Sequence, residues 1–275
     1  MTEWLGGTVS FEAGGRSILT DAEIAVGRGE SVAIVGINGA GKTTLLRLLA
    51  NVLAPSRGAL ALGGVPYADL GARRLARALA YVPQIRPARV PLSVRDVVLL
   101  GRYPHNRIWS VGYERRDFDA AARALEVIGS SELADRPMSE LSGGERQGVY
   151  IAAALAQETE CLILDEPTTY LDPGHQRQIA RLLRKLTQEE GRTLVFASHD
   201  LNLAYALADR VIALAAGRVV ATGPTLEVLE RERLEALYGA PFHMLEPGAG
   251  AFSARPVAAV DLVGEALVAG DRDSR

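Results

Sequence analysis

The chain has 275 residues, enough for one large domain or two ordinary ones, and with 48% hydrophobic residues it can bury a sizeable core. A formal net charge of −3 argues against a generic nucleic-acid binder, which is usually basic over its domain. Its single cysteine, Cys161, excludes an intrachain disulfide, fits a cytosolic setting, and reads as a small core residue beside Leu162, Ile163 and Leu164.

The opening Met1-Thr2-Glu3-Trp4 lacks the basic and apolar segments of a secretory leader. No uninterrupted apolar stretch reaches the roughly 18 residues a membrane helix needs. A membrane role is therefore expected only through a partner. Short strands are expected at 8–11, 22–26 and 31–35, punctuated by Gly14-Gly15 and Gly27-Arg28-Gly29. The third run, Ser31 to Val35, is apolar nearly throughout, as for a strand buried on both faces. Leu45, Leu46, Leu48, Leu49 and Val52 then repeat at helical spacing. Residues 59–83 read as two more strands around a polar helix.

From 93 to 129 the pattern turns helical, with an irregular insert at 101–112, and a further helix is expected over 145–157. Next come a strand at 162–164, a helix over 174–189, a strand at 193–197, a short helix over 201–208 and a hairpin over 211–222. Strand–helix–strand units thus bracket a mainly helical middle, about 90–155. This predicts an α/β fold: a parallel-sheet core with an inserted helical subdomain. The first 240 residues are taken as one domain. Residues 241–275, broken by Pro241, Pro247, Gly248, Gly250 and Pro256, are taken as a tail of unassigned role.

Residues 36–43, Gly36-Ile37-Asn38-Gly39-Ala40-Gly41-Lys42-Thr43, fit G-x-x-x-x-G-K-[ST] between a buried strand and a helix. Glycines let backbone N–H groups curl inward around phosphate oxygens, and the helix aims its positive end at the same place. Lys42 suits the β- and γ-phosphates, and the Thr43 hydroxyl suits Mg²⁺. Lys42 and Lys185 are the only lysines in an arginine-rich chain. A compact ammonium fits a tight phosphate nest where a planar guanidinium fork does not.

Leu162-Ile163-Leu164-Asp165-Glu166 is an apolar strand ending in two acids, and ligands gather at the carboxyl ends of parallel strands. Asp165 is a candidate for holding Mg²⁺ through water. Glu166, pointing the other way, is a candidate for polarising the attacking water. His199, in Ser198-His199-Asp200 after another apolar strand, can reach the γ-phosphate or that water. Gln84 gains meaning only from its place in this order. His105, His175 and His243 share no metal-ligand spacing. Ser142-Gly143-Gly144, in Leu141 to Gln147, precedes a helix and forms a second anion-binding turn. One nucleotide needs one cradle. Two cradles in different subdomains suggest that the second closes on ATP held by another copy.

The order of phosphate loop, Gln84, Leu141-Ser142-Gly143-Gly144-Glu145, Leu164-Asp165-Glu166-Pro167, Leu171-Asp172 and His199 resembles the nucleotide-binding subunit of ATP-binding cassette transporters, over about residues 6–240. The resemblance implies a P-loop NTPase fold with a RecA-like core, an N-terminal antiparallel β subdomain and ATP hydrolysis with Mg²⁺. It also implies roles. Phe11 would stack on adenine. Gly36, Asn38, Gly39, Ala40, Gly41, Lys42, Thr43 and Thr44 would bind phosphates. Gln84 would touch Mg²⁺ or water. Ser142, Gly143 and Gly144 would bind the other copy's ATP. Glu166 would be the base, Asp172 would bridge the copies and His199 would contact the γ-phosphate.

The implied partners are a second copy, two transmembrane permease subunits and a periplasmic or extracellular substrate-binding protein. The implied location is the cytoplasmic face of the cell membrane, and no nucleic acid is expected. The strings 100–105 (Leu100-Gly101-Arg102-Tyr103-Pro104-His105), 198–204 and 237–242 are similar to bacterial importers of iron–siderophore, haem or cobalamin, with molybdate a remote fourth cargo. The rival is a soluble ATPase of the same superfamily acting in DNA repair or translation, whose usual coiled coils, zinc modules or tandem cassettes have no counterpart here. An exporter subunit is a third reading. The sequence departs from the family where arginines usually stand, at Gly148 and Ala153.

Overall fold

A computed structural model describes residues 3–84, 91–106, 112–245 and 257–260. Part of the insert expected at 101–112, and most of 246–275, lie outside the described residues.

The chain opens with two long strands, β1 (Glu3–Ala13) and β2 (Arg16–Gly27), then β3 (Ser31–Val35) and helix α1 (Lys42–Leu49). β4 (Arg57–Leu62), β5 (Val65–Pro66), α2 (Tyr67–Leu70), α3 (Ala72–Ala78) and β6 (Leu79–Val82) follow. The helical middle holds α4 (Val94–Leu100), α5 (Arg115–Val127) and α6 (Gly143–Ala156). Then strands and helices alternate: β7 (Cys161–Asp165), α7 (Pro173–Gln188), β8 (Thr193–Ala197), α8 (Leu201–Leu207), β9 (Arg210–Ala215) and β10 (Arg218–Pro224). The end adds α9 (Thr225–Val228), α10 (Arg231–Tyr238), β11 (Phe242–Leu245) and β12 (Val257–Val260).

The central sheet runs β10-β9-β3-β8-β7-β6. Its ladders are parallel from β9 to β6, and only β10 pairs antiparallel, through its hairpin with β9. A separate antiparallel sheet, β2-β1-β4-β5, forms the N-terminal part. Every residue of β3, β7 and β8 is buried. Their side chains alternate between two cores, as the period of two demands. Ala33, Val35, Leu162, Leu164, Leu194 and Phe196 face the helical middle together with α6 and α7. Val32, Ile34, Cys161, Ile163, Val195 and Ala197 face α1 and the N-terminal sheet. The carboxyl ends of β3, β7 and β8 therefore emerge side by side between two layers.

The segment 101–106 fastens the helical middle to the core. Arg102, 4% exposed, donates to Asp117 Oδ1 at 3.0 Å, to Glu158 Oε2 at 2.7 Å and to the Ala156 carbonyl at 2.6 Å. His105 Nε2 lies 2.8 Å from the Gln157 carbonyl, and Arg73 and Arg77 each donate to the Pro104 carbonyl at 3.0 Å. Gly148 is buried inside α6, with Ile128 Cδ1 3.5 Å from where a Cβ would sit. An arginine there would have to part α6 from the end of α5. Residues beyond 240, taken as a tail, supply the pair β11–β12. The Asn202 side chain on α8 accepts from the Ala258 amide at 3.0 Å. Among the described residues, no helix is long and apolar enough to cross a membrane.

Candidate active site

The phosphate loop leaves the centre of the sheet through two glycines that no other residue can replace. Gly36 has φ +146°, and a Cβ there would lie 2.2 Å from the Leu214 carbonyl oxygen. Gly41, the residue before α1, has φ +102°, and its Cβ would meet Leu19 Cδ2 at 2.7 Å. Both positive φ and lack of space demand glycine. Between them the loop wraps around Lys42. Lys42 is 8% exposed, and its ammonium donates to the carbonyls of Gly36 at 2.8 Å and Ile37 at 3.2 Å. Burial lowers its pKa, and the nearby charges of Glu166 and Asp165 partly restore it.

Asp165 ends β7 and is 1% exposed. It accepts from the Thr43 hydroxyl at 3.1 Å and the Tyr81 hydroxyl at 3.5 Å. Burial raises its pKa, the Thr43 bond opposes this, and the charge of Glu166 adds to the rise. Glu166 turns the other way. Its backbone sits at φ +54°, a left-handed conformation uncommon outside glycine. The turn is held by its own amide, which donates to the Ala197 carbonyl at 3.1 Å. Its Oε2 accepts from the Thr169 hydroxyl at 3.0 Å and from the His199 amide at 3.3 Å. His199 Nδ1 lies 2.6 Å from the same oxygen. That bond places the imidazole proton on Nδ1 and leaves Nε2 directed elsewhere.

Asn38, Gly39, Gly41, Lys42, Thr43, Thr44, Gln84 and Glu166 line one open cleft of about 350 Å³, with Ile18 on its wall. Ala40 is buried beneath it. Phe11 is not in that lining; it packs, half-buried, at the edge of the N-terminal core. Ser142 is also outside it. There it caps α6, its hydroxyl accepting from the Glu145 amide at 3.3 Å while Glu145 Oε2 accepts from the Ser142 amide at 2.8 Å. Gly144 lies so close to His175 that a Cβ would meet the ring at 2.4 Å. Asp172 caps α7, accepting from Gly174 at 2.9 Å and His175 at 3.1 Å. Its bond with the His175 ring is the main cause holding it below the usual carboxylate range. Sequence reading missed Thr169, Tyr81 and Ile18. The first two stand three residues from Glu166 and Gln84, and only the folded loops show what they touch.

Thr43 and Asp165 bring two oxygens within 3.1 Å, and Gln84 adds an amide oxygen to the same cleft. An all-oxygen set with few protein ligands is what Mg²⁺ takes when phosphates and water supply the rest. These residues fit it. Bound there, it would neutralise charge on the phosphates.

The family model described as ABC transporter matches residues 19–169, which span the phosphate loop, the signature turn at 141–145 and both acids. The chain belongs to the ABC transporter family. It is similar to the iron(3+)-hydroxamate import ATP-binding protein FhuC of Bacillus subtilis, 40% identical over 228 residues, covering 82% of this chain and 83% of the relative. Among solved structures, one of a metal-chelate type ABC transporter in an inward-facing conformation has TM-score 0.81 and 29% identity, covering 94% of this chain and 98% of that one. Another is a dimeric post-hydrolysis state of the ATP-binding cassette MJ0796 with ADP and Pi, with TM-score 0.69 and 26% identity, covering 80% and 98%. As an ABC ATPase, this chain hydrolyses ATP. Lys42 and the loop amides are donors that would oppose charge growing on phosphates bound in the cleft. Glu166 stands at the same cleft with a donor on each side of Oε2.

Proposed function

We propose that the subunit works as a head-to-tail pair that closes over two ATP molecules. It would sit peripherally on the cytoplasmic face of the cell membrane and drive two transmembrane permease subunits. The cargo would be a metal chelate (iron–siderophore, haem or cobalamin) delivered by a periplasmic or extracellular binding protein. One observation carries the pairing. Within one chain, Ser142 and Gly143 form an exposed helix N-terminus outside the cleft that holds the phosphate loop. A second copy can bring that turn to the phosphates. The dimeric relative supports this arrangement, and the hydroxamate and metal-chelate relatives support the cargo class.

In this reading Phe11 stacks on adenine, and residues 36–44 hold the phosphates with Mg²⁺ at Thr43, Gln84 and Asp165. Glu166 takes the proton of the attacking water, a step worth about 10²–10⁴ in rate. His199 contacts the γ-phosphate, while Ser142, Gly143, Gly144 and Asp172 serve the other copy. The test is a structure of the Glu166→Gln variant with ATP and Mg²⁺. The pairing predicts a trapped dimer with Ser142 of each copy against the γ-phosphate held by the other. Ser142 far from any γ-phosphate at every protomer contact overturns it. Uptake of ferric siderophore, haem and cobalamin by a deletion strain tests the cargo, and loss of none of them rejects it.

A further inference from the structure

Thr169 stands three residues past Glu166, and no motif read from the sequence gives it a role. Its hydroxyl donates to Glu166 Oε2 at 3.0 Å. The turn the two residues share closes without that bond. The Thr169 amide donates to the Glu166 carbonyl and the Leu171 amide to the Thr168 carbonyl, each at 3.3 Å. The turn is anchored to the next strand by the Glu166 amide, which donates to the Ala197 carbonyl at 3.1 Å. Backbone bonds therefore hold the loop, and the Thr169 hydroxyl is spent on the carboxylate itself. A hydrogen bond to an ionised acceptor is roughly twice as strong as a neutral one, so this contact acts mainly on where the carboxylate points.

Among the described residues, every hydrogen bond to that carboxylate lands on Oε2, from Thr169 and from the amide and Nδ1 of His199, and none on Oε1. The two tethers differ in kind. His199 comes from another loop, after β8, and its side chain is 59% exposed against 11% for Glu166. Its grip depends on how two loops and an exposed ring lie relative to each other. Thr169 belongs to Glu166's own turn and moves with it. We propose that Thr169 is a positioning residue for hydrolysis: its hydroxyl pins Glu166 Oε2 and leaves Oε1 open to the attacking water in the cleft that Glu166 lines. A carboxylate has about four acceptor sites, so an oxygen without donors keeps its own for the water's proton. A side chain held in one orientation beforehand has no reorientation to undergo as the proton moves. The inference rests on Glu166 being the base.

The test uses the whole subunit with MgATP and compares Thr169→Val, Thr169→Ser, Glu166→Gln and the Thr169→Val, Glu166→Gln double variant. Thr169→Val keeps the branched shape without the hydroxyl. It should hold nucleotide affinity and KM within about twofold and lower kcat about tenfold or more, the range for a hydrogen bond to a charged group. Thr169→Ser, which restores the donor, should recover most of that loss. In the Glu166→Gln background, Thr169→Val should cost less than about twofold in single-turnover rate, because its effect passes through the carboxylate. An unchanged kcat, a change in KM alone, a serine variant as slow as the valine one, or an equal loss in both backgrounds overturns the proposal while leaving Glu166 as base. Full turnover by Glu166→Gln overturns both. Thr169→Ala, which lacks the hydroxyl and adds no methyl beside Oε2, is read the same way should Thr169→Val fail to fold.

Discussion

Lys42 is held by two carbonyls of its own loop, and this sets what its removal costs. Truncation to alanine leaves the carbonyls of Gly36 and Ile37 without their donor and, on the proposed function, takes the ammonium from the phosphates. Hydrogen bonds to charged groups contribute about 1.5–3 kcal/mol. Lys42→Ala should therefore weaken MgATP binding at least about tenfold, as read by calorimetric titration, and unchanged affinity would remove Lys42 from the phosphate site. The residues read most easily from sequence were those whose chemistry follows from type and order: a lysine in a glycine loop, two acids ending an apolar strand, a serine before two glycines. Thr169 and Tyr81 were not legible. A threonine and a tyrosine carry no signature until the loops after β7 and β6 bring them to Glu166 and Asp165.

At the scale of elements, the helical middle hangs on one buried charge cluster. Asp117, 1% exposed, is raised by burial, but the Glu114 amide and Arg102 outweigh this and hold it below the usual carboxylate range. Its stabilising contribution is thus complete above the unfolded carboxylate pKa and is lost as pH falls through the lower folded value. Arg102→Ala strands that charge and should cost about 3–5 kcal/mol at neutral pH, measured by urea unfolding. For Asp117→Asn, the stability deficit should shrink as pH drops below about 4, and a deficit independent of pH would show that the carboxylate charge does not matter. α6 offers the opposite case. Glycine inside a helix costs about 1 kcal/mol relative to alanine, and a methyl at 148 meets Ile128 at ordinary contact distance. Gly148→Ala should raise the unfolding temperature by about 2–4 °C in a scanning calorimeter. The strands were legible because β3, β7 and β8 are apolar on both faces. The extent of β1 and β2, and the existence of α10 and β11–β12, were not: β1, β2 and α10 mix polar and apolar residues, and β11–β12 is a pair of four-residue strands that only their pairing defines. The same packing explains Gly148, which from sequence alone was only a departure from pattern.

For the whole molecule, the decisive question is how two copies meet. Ser142 is exposed at a helix N-terminus, a place that favours an arriving anion unless another negative charge already stands there. Ser142→Asp can still cap α6, yet it sets a negative charge where the partner's triphosphate would come. This variant should bind MgATP as the wild type does but fail to dimerise in the Glu166→Gln background. Light scattering after size exclusion would show this, and an ATP-dependent dimer of normal mass would contradict the proposed pairing.

The curled loop around Lys42 has a kinetic corollary. A loop confined at Gly36 by the Leu214 carbonyl and at Gly41 by Leu19 has little conformational freedom left to lose when a nucleotide binds. On the proposed function, Lys42 would trade its two carbonyl contacts for phosphate oxygens. Capture should then proceed at a rate set by encounter, and preference between triphosphate and diphosphate should be written in how slowly each one escapes.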